Sequence, residues 1–542
     1  MMTSAIVEVP PPTNEPVRGY APGTAERAAL AAEIDGVAAE TVEAPHVIGG
    51  APRTGDTLFE VRAPHRHALH LADVHQATPE HVQAAVAAAR QAAHDWARTP
   101  FEERAAVFLR AADLLAGPWR DRINAATILG QSKSWQQAEI DAACETIDFL
   151  RFNVAFARDL LTNQPLNVAG VWNRMDYRPL EGFVLAITPF NFTAIALNLP
   201  TAPALMGNTV LWKPSEKQAL AAHWSMRLLV AAGLPPGVIN LVHGDGGLVS
   251  DVAMDAPDFA GLHFTGSSTV LQALWQRSAE RLDAYRGFPR IVGESGGKDF
   301  VVVHPSATVD EVVVGLGRGA FEYQGQKCSA ASRAYLPQSL WPQVRDGLAD
   351  LASSLPMGDV ADPGMFMGAV IDEAALRKHS AAISAATDAG AKVLTGGGVD
   401  DSEGWFVEPT VLVTEDPRSQ TMTTELFGPI LTVYVYDDAR WSQTLELVDQ
   451  TSPYALTGGV FAQDRAAVAE AMDVLRQSAG NFYVNDKPTG SVVGQQPFGG
   501  ARRSGTNDKA GSVFNLLRWT SPRSIKETFV PPTDWRYPHL GG

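Results

Sequence analysis

The sequence predicts an α/β protein built on parallel sheets. Short apolar segments alternate with helical segments between residues 183 and 264, and the same alternation returns between residues 288 and 485. Strands that are covered on both faces by crossover helices have this apolar character. No segment repeats at the period of a solenoid, so we expect compact α/β units.

Composition excludes several classes of protein. The 542 residues carry a formal net charge of −17, and 45% of them are hydrophobic. This charge argues against nucleic-acid binding, which requires a basic surface. No apolar run approaches the roughly 18 residues that a membrane-spanning helix needs. Two cysteines cannot build a disulfide framework, and they indicate a reducing compartment.

The first twenty residues contain prolines and acidic residues but no apolar core. They therefore do not have the pattern of a secretory signal. With Arg18 as their only basic residue, they also make a poor organelle transit peptide. We expect a mobile arm in a cytoplasmic protein.

Three helices are predicted before the first strand–helix series. They cover residues 79–96, 101–115 and 135–161. Pro79 suits the first turn of the first helix. The third helix places Ile140 and Ile147 near one apolar face. Cys144 lies inside it, where packing is favoured over reactivity.

Four histidines precede these helices, at His65, His67, His70 and His75. A metal site is one interpretation, since imidazole is a common ligand. A polar strand edge with a turn is the other. No cysteine or pair of carboxylates completes a recognisable ligand set, so we expect no metal.

Each predicted strand of the first series is a short apolar run that precedes a helix or a glycine-containing turn. They cover residues 183–187, 209–212, 238–242 and 261–264. Ligands bind at the carboxyl ends of such strands. The dinucleotide pattern G-x-G-x-x-G is absent, and Gly-Asp-Gly-Gly at 244–247 is a poor substitute.

The second series supplies further strands, and the chain ends in another one. The expected strands are residues 290–292, 300–303, 334–336 and 430–435, with 519–530 near the C-terminus. Residues 166–177 form an extended, β-type excursion before the first series.

Cys328 lies in the stretch Glu-Tyr-Gln-Gly-Gln-Lys-Cys-Ser-Ala at 322–330, just after a predicted helix at 310–321. A structural cysteine normally lies in an apolar periodic segment, whereas this one is framed by glycine, lysine and small polar residues. The thiolate is the reactive form, and nearby cations or backbone N–H groups lower a thiol pKa. Cys328 is a candidate nucleophile, although this stretch alone leaves a structural role open.

Two strand ends carry polar residues. In Thr-Pro-Phe-Asn-Phe at 188–192, Asn191 can aim its amide at an oxyanion, a contribution of about 3 kcal/mol. An Asx turn is the alternative. In Trp-Lys-Pro-Ser-Glu at 212–216, Lys213 and Glu216 can hold the hydroxyls of a ribose, or the stretch can simply cap a helix. A carboxylate there repels a 2′-phosphate, which favours NAD over NADP.

Three further stretches have a chemical interpretation beside a structural one. Hydroxyls at a helix start, in Phe-Thr-Gly-Ser-Ser at 264–268, suit a pyrophosphate. In Gly-Glu-Ser-Gly-Gly-Lys at 293–298, Glu294 suits a general base with a raised pKa. Thr-Glu-Leu-Phe-Gly-Pro at 424–429 has an acid and an aromatic residue on one loop.

Together these stretches resemble the aldehyde dehydrogenase superfamily, from about residue 79 to residue 527. The ordered motifs are Pro-Phe-Asn, Trp-Lys-Pro-Ser-Glu, Phe-Thr-Gly-Ser, Glu-x-Gly-Gly-Lys, Gly-Gln-x-Cys and Glu-x-Phe-Gly-Pro. The resemblance implies a Rossmann-like NAD domain, an α/β catalytic domain and a β-flap that joins subunits. The expected divisions are an N-terminal arm (1–38), the NAD domain (39–164 and 183–290), the catalytic domain (291–505) and the flap with the C-terminal tail (165–182 and 506–542).

The resemblance also implies a mechanism. Cys328 attacks an aldehyde, and Asn191 stabilises the oxyanion together with the Cys328 backbone N–H. A hydride passes to the nicotinamide, and Glu294 activates the water that hydrolyses the thioester. The residues implied to hold NAD are Thr188, Lys213, Glu216, Gly266, Ser267, Ser268, Thr269, Val270, Glu425 and Phe427.

A late stretch narrows the substrate. Residues 489–494 form a glycine-rich loop with one serine hydroxyl, and such a nest of backbone N–H groups suits a carboxylate. A plain β-turn is the alternative. The runs 490–509, 325–330 and 518–522 resemble L-glutamate γ-semialdehyde dehydrogenases. The substrate contacts implied by this resemblance are Phe192, Ser329, Gly490, Ser491 and Phe498, with Glu145 as a further candidate.

The resemblance therefore implies a homodimer or higher homo-oligomer that completes proline catabolism, with proline dehydrogenase as a functional partner. Another carboxylated substrate, such as succinate semialdehyde, is the nearest alternative. A thiol hydrolase or acyltransferase without hydride transfer is a second alternative. A non-catalytic scaffold is the third.

Overall fold

The computed structural model describes residues 7–541. Residues 1–6 of the expected arm and residue 542 of the expected tail lie outside the described residues. The helices are α1 (Ala25–Ala38), α2 (Pro79–Arg98), α3 (Phe101–Ala116), α4 (Arg120–Gln131), α5 (Trp135–Ala138), α6 (Thr146–Thr162), α7 (Thr193–Leu205), α8 (Ala219–Ala231), α9 (Gly246–Met254), α10 (Ser268–Glu280), α11 (Val309–Phe321), α12 (Trp341–Ser354), α13 (Glu373–Asp388), α14 (Gln420–Thr423), α15 (Trp441–Thr451), α16 (Arg465–Val474) and α17 (Val513–Arg518).

The strands form two large sheets and several small ones. They are β1 (Val42–Ala44), β2 (His46–Ile48), β3 (Ala51–Arg53), β4 (Leu58–Ala63), β5 (Arg66–His75), β6 (Val171–Arg178), β7 (Phe183–Thr188), β8 (Thr209–Pro214), β9 (Ile239–Leu241), β10 (Phe259–Gly266), β11 (Arg290–Ser295), β12 (Asp299–Val303), β13 (Ala331–Pro337), β14 (Lys392–Thr395), β15 (Val399–Asp400), β16 (Phe406–Val407), β17 (Thr410–Thr414), β18 (Ile430–Tyr436), β19 (Tyr454–Ala455), β20 (Thr457–Phe461), β21 (Asn481–Val484), β22 (Ala501–Arg502) and β23 (Ser521–Thr528).

The first large sheet has the strand order β11-β10-β7-β8-β9-β2-β3, and its first five strands are parallel. Successive residues of a strand point to opposite faces. In β7, Val184 and Ala186 pack on the side of α3, α4, α6, α7 and α8. Phe183 and Leu185 pack on the side of α2, α9 and α10. Burial on both faces explains why this strand reads as a continuous apolar run.

The second large sheet has the order β14-β17-β18-β13-β12-β20-β21, and only its edge strand β14 is antiparallel. Helices α11 and α12 cover one face, and α15 and α16 cover the other. The α/β fold class predicted from the alternating pattern is confirmed.

Strand β11 does not belong to the second sheet, where the expected division after residue 290 puts it. It pairs in parallel with β10 along its whole length, from the Gly261–Arg290 pair to the Gly266–Ser295 pair. Because pairing decides which sheet a strand joins, we propose that the first unit extends through Ser295. Helix α17 also packs on α6 and α7, and we propose that it belongs to the first unit.

The flap itself is a two-stranded antiparallel ladder of β6 and β23. Its register runs from the Arg178–Ser521 pair to the Val171–Thr528 pair. Strands whose paired residues Arg178 and Ser521 lie 343 positions apart in sequence are thus joined edge to edge, as expected from the extended stretches at 166–177 and 519–530.

The predicted single helix at 135–161 is divided into α5, a π-helical segment at Glu139–Glu145, and α6. A π turn inserts an extra residue and rotates the following face. Ile140 is consequently 37% exposed, whereas Ile147 is buried. The carboxylates of Glu139 and Asp141 are turned inward instead. Helix α4 was not predicted.

The prediction of a mobile arm is wrong for residues 14–20, because polar contacts fix them to the helices. The carboxylate of Glu15 pairs with Arg120 at 2.6 Å and with Arg151 at 2.8 Å. The Tyr20 hydroxyl donates to Glu139 at 2.7 Å. Arg120 and Glu139 are buried and paired with each other, so this part of the chain covers an ion network.

The four clustered histidines lie on and beside the β4–β5 hairpin. His65 contacts Ser132 and Asp359, and His75 contacts Glu43. Within residues 7–541, no group of three or more His, Cys, Asp or Glu side chains is arranged to hold a metal. Over the same residues, no helix combines the length and the apolarity that crossing a membrane requires.

Candidate active site

Four adjacent parallel strands bring the predicted site residues to one edge of the first sheet. In the order β11-β10-β7-β8, their carboxyl ends carry Glu294, Gly266, Thr188 and Lys213. The register pairs Thr265 with Glu294, and the strand ends therefore lie level. Stretches that are far apart in sequence thus meet at the carboxyl edge, where α/β sheets bind ligands.

The loop that carries Cys328 has an unusual backbone. After α11, Tyr323, Gln324 and Gly325 all have φ between 53° and 64°. A Cβ on Gly325 would lie 2.3 Å from the carbonyl oxygen of Gly428. Only glycine fits there, because the loop passes so close to the 424–429 stretch. The turn leads the chain back to Cys328, which is partly exposed.

Burial and neighbouring carboxylates favour the protonated form of the Cys328 thiol. Burial raises its pKa well above the ordinary value, and the carboxylates of Asp299, Glu294 and Glu425 add to the effect. Both causes disfavour a thiolate. The other cysteine, Cys144, is buried beside Glu139 and Arg120. Burial raises its pKa too.

Asn191 reaches the cysteine loop from the end of β7. Its Nδ2 donates to the Gln326 carbonyl oxygen at 3.0 Å, and the side chain is buried. An amide nitrogen carries two protons. The Asn191 amide therefore keeps a second proton besides the one that it gives to Gln326.

Glu294 lies at the end of β11, where its Oε2 accepts from the Gly500 N–H at 3.1 Å. Burial raises the pKa of its carboxyl well above the ordinary value, although the Gly500 hydrogen bond and the Lys509 charge oppose this. A Cβ on Gly499 would approach the other carboxylate oxygen to 3.0 Å. Glu294 is thus held against the 499–500 backbone as a weakly acidic group.

Glu425 and Phe427 lie close to Cys328. Cys328, Glu425 and Phe427 line one small cavity. Glu425 accepts from the Gly297 N–H at 3.1 Å, and a Cβ on Gly296 would collide with its carboxylate. Gly296 of the Glu-x-Gly-Gly-Lys motif therefore makes room for Glu425, and Gly297 makes room for Asp299 and the Cys328 carbonyl oxygen.

Polar side chains lie at the carboxyl ends of β7 and β8. Thr188 is buried and accepts from Trp212 Nε1 at 3.0 Å. Lys213 is 7% exposed, and burial lowers its pKa while Glu216 and Asp245 oppose that shift. Its ammonium lies 3.5 Å from the position of a Cβ on Gly246, at the start of α9.

The start of α10 also faces this edge. The Ser267 hydroxyl caps the helix by accepting from the Val270 N–H at 3.3 Å. Ser268 contacts the Tyr454 hydroxyl at 3.2 Å. A Cβ on Gly266 would meet the tip of the Phe264 ring at 2.7 Å, so a larger residue there would have to displace that ring. Thr269 and Val270 are exposed.

We call residues 489–496 the anchor loop. Thr489 accepts a hydrogen bond from the Ser329 hydroxyl at 2.9 Å, which ties the loop to the residue after Cys328. Ser491 contacts the Tyr483 hydroxyl at 2.6 Å. Gly490 has φ of 101°, and the Lys487 ammonium lies 3.3 Å from the position of a Cβ on it.

A buried charge cluster lies beside Phe192. The Lys133 ammonium lies 4.1 Å from the centre of the Phe192 ring and 2.5 Å from Asp141. Asp141 in turn accepts from two backbone N–H groups at the start of α7, at 2.9 and 3.0 Å. Burial and Asp141 together raise the pKa of Glu145 to about 8. Phe498 lies in a short bridge with Ala510.

Several residues at this site were missed from the sequence. Tyr483, Lys487, Lys133 and Asp141 belong to no motif that we singled out. Tyr483 lies on β21 and Asp141 in the π-helical segment, whereas Lys487 and Lys133 lie in loops. Lys487 carries the one signal that was readable, a cation three residues before the glycine of the anchor loop.

Comparison with known proteins agrees with this geometry. Residues 51–525 match the model of the aldehyde dehydrogenase family. The chain belongs to the aldehyde dehydrogenase family. A crystal structure of the Δ-pyrroline-5-carboxylate dehydrogenase from Mycobacterium tuberculosis, bound with NAD, is 59% identical and covers 100% of both chains with a TM-score of 0.97.

Two curated relatives extend the comparison. The mitochondrial Δ-1-pyrroline-5-carboxylate dehydrogenase of Dictyostelium discoideum is 49% identical over 99% of this aldehyde dehydrogenase and 97% of its own length. The enzyme of the same name from Homo sapiens is 48% identical over 97% and 94%. Both are named as mitochondrial proteins, which contradicts the cytoplasmic location expected from the first twenty residues.

We predict that iodoacetamide alkylates Cys328 slowly at pH 7 in the cofactor-free protein and faster as the pH rises. The reason is the raised thiol pKa, since only the thiolate reacts. Mass spectrometry of the modified peptide against time gives the rate. The C328A variant reports the background at Cys144. Labelling of Cys328 at pH 6 as fast as at high pH would contradict the raised thiol pKa.

Proposed function

We propose that this chain oxidises L-glutamate γ-semialdehyde, the open form of 1-pyrroline-5-carboxylate, to L-glutamate with NAD. The observation that carries the proposal is the hydrogen bond between Ser329 and Thr489, which joins the cysteine loop to a glycine-rich loop suited to a carboxylate. The full-length similarity to proteins named for this reaction supports it.

Cys328 is the nucleophile of the proposed reaction. Its thiol must first lose a proton, and the raised pKa of Glu294 makes that carboxylate a suitable acceptor. The sulfur then bonds to the aldehyde carbon, and the carbonyl oxygen becomes an oxyanion. The second N–H of the Asn191 amide and the Cys328 backbone N–H are the proposed donors to that oxyanion.

The residues at the carboxyl edge fit a dinucleotide. Lys213 with Glu216, and Glu425, offer groups that hydrogen-bond ribose hydroxyls, and Thr188 lies beside them. The start of α10, at residues 266–270, offers hydroxyls and backbone N–H groups to a pyrophosphate. Phe427 would pack beside the nicotinamide ribose. The chemistry that NAD supplies when bound is acceptance of a hydride, which converts the thiohemiacetal on Cys328 to a thioester.

Glu294 is the base of the second half-reaction. Once its proton has left, its carboxylate can take a proton from a water molecule as that water attacks the thioester carbon. The C–S bond then breaks, Cys328 is released as a thiolate, and the product leaves as the acid. A carboxyl with a raised pKa is a stronger base than an ordinary one, which suits this step.

The amino-acid end of the substrate is assigned to the anchor loop. Gly490 and Ser491 would hydrogen-bond the α-carboxylate, and the Lys487 ammonium lies close enough to add attraction. Phe192 and Phe498 would enclose the methylene chain. Glu145, near Phe192, is the candidate acceptor for the α-ammonium group.

We infer further that the β6–β23 ladder joins copies of the chain. It leaves large apolar side chains exposed at the flap, with Leu166 91%, Trp172 46% and Phe529 60% exposed. Soluble proteins rarely expose such groups together unless a partner covers them. The proposed substrate is also the product of proline oxidation, so proline dehydrogenase is the proposed functional partner.

The first prediction is that NADH forms much faster from glutamate semialdehyde than from succinate semialdehyde, and faster with NAD than with NADP. Both substrates carry a carboxylate, but only one has the α-amino acid end that the anchor loop and Glu145 would bind. Absorbance at the NADH band measures the rates, with C328A as the blank. A higher kcat/KM for succinate semialdehyde would favour the alternative substrate. Ester hydrolysis without NADH would favour a thiol hydrolase.

The second prediction is that E294Q lowers steady-state turnover about 100-fold but, at a pH high enough for Cys328 to ionise without a carboxylate acceptor, still produces a burst of one NADH per active site. The thioester forms and then hydrolyses slowly. In the parent enzyme, the acidic limb of kcat should lie above the ordinary carboxyl range, because burial raises the Glu294 pKa. Rapid-mixing absorbance measures both. Unchanged turnover in E294Q would remove Glu294 from this role.

The third prediction is that S491A raises the KM for glutamate semialdehyde about tenfold, through the loss of a hydrogen bond to a charged group. The KM for propanal, which has no carboxylate, should stay the same. S354A, an exposed serine at the end of α12, is the matched control. Equal effects on both aldehydes would exclude Ser491 as a carboxylate contact.

A further inference from the structure

One side-chain amide joins the N-terminal segment to the anchor loop. Asn14 Nδ2 donates to Asp148 Oδ2 on α6 and to the Val493 carbonyl oxygen, both at 2.8 Å. Asn14 Oδ1 accepts from Gln495 Nε2 at 3.0 Å. The amide thus uses both of its protons and its oxygen in these contacts. Two of these three hydrogen bonds join Asn14 to the anchor loop, whose Val493 lies 479 residues later in the sequence.

The N-terminal segment, residues 14–20, is itself firmly held. The Glu15 N–H donates to the other oxygen of Asp148 at 2.7 Å. The Glu15 carboxylate pairs with Arg120 and Arg151, and the Arg18 N–H donates to the buried Glu139 at 2.8 Å. Asn14 is therefore held in a fixed position, and its hydrogen bonds can fix the position of the groups that it contacts.

The anchor loop has little support of its own. Two of its residues, Gly490 and Gly494, adopt positive φ values of 101° and 84°, and glycine loses more conformational freedom on ordering than other residues. Within the loop, the Gln495 and Gln496 N–H groups share the Val492 carbonyl oxygen. Val493 is the one side chain of residues 490–496 that is buried, against Phe149 on α6. Contacts from outside the loop must supply much of its order.

We propose that Asn14 is a positioning residue for substrate selection, which holds the anchor loop in the conformation that receives the α-carboxylate. This inference rests on the proposed function. Asn14 bonds to the main chain only two residues after Ser491, so the loop's hydrogen-bonding groups keep their place before substrate arrives. A loop ordered in advance costs less free energy to bind. The N-terminal segment would thus act on affinity for one end of the substrate and leave the chemistry at Cys328 untouched.

The decisive measurement compares two aldehydes in N14A. The KM for glutamate semialdehyde should rise about three- to tenfold, as expected for loss of hydrogen bonds of ordinary strength. The kcat, the KM for NAD and the KM for propanal should stay within about twofold of the parent values. N163A, an exposed asparagine at the opposite end of α6 from Asp148, is the matched control.

A purely structural role predicts a different pattern. If N14A loosens the whole enzyme, the melting temperature falls and all kinetic constants change together, which would overturn the proposal. Q495A removes one of the same contacts from the loop side and should raise the same KM selectively. In the double variant N14A/Q495A the two effects should be less than additive, because they share a hydrogen bond. Additive effects would also overturn it.

Measuring the effect of N14A in the S491A variant separates this inference from the proposed function. If Asn14 acts through the anchor loop, N14A should add little to the KM of S491A. If S491A discriminates between the aldehydes and N14A does not, the inference fails and the proposed function stands. If the parent enzyme does not oxidise glutamate semialdehyde at all, the proposed function fails first.

Discussion

The parallel register of four strands is the constraint on which the site depends. Because β11, β10, β7 and β8 end level, Glu294, the start of α10, Thr188 and Lys213 come to one edge of the sheet. Shifting a strand by one residue would turn each side chain to the opposite face of the sheet. The deep apolar packing of β7 on both faces is what keeps that register.

The second unit has a complementary task, which is to deliver a thiol to that edge. The cysteine loop does so with three consecutive left-handed residues, a conformation that costs free energy for the two that are not glycine. Its neighbours leave no room for alternatives, since Gly325, Gly296 and Gly428 each have another group where a Cβ would lie. Close packing thus maintains a strained turn at the place where chemistry is proposed.

The sequence predicted several central strands of the two large sheets, but not the features that depend on a distant partner. Apolar runs such as 183–187 identify strands because burial on two faces demands them. The predicted division after residue 290 cuts through β11, whose sheet is decided by pairing with β10, and no local pattern encodes that pairing. The fixed position of residues 14–20 was not predicted for a similar reason, because their partners Arg120 and Glu139 lie about a hundred residues away in sequence. The π-helical turn was missed because periodicity assumes a regular helix.

The flap ladder has a consequence for how the chain is made. Strand β6 leaves the ribosome early, but its partner β23 follows only after 343 more residues, as the Arg178–Ser521 contact shows. At about 5–20 residues per second, β6 waits on the order of half a minute with one edge unpaired. An unpaired edge can pair with another nascent chain. The charged and polar residues of β6, among them Arg174 and Asp176, are well suited to keep it soluble during that delay.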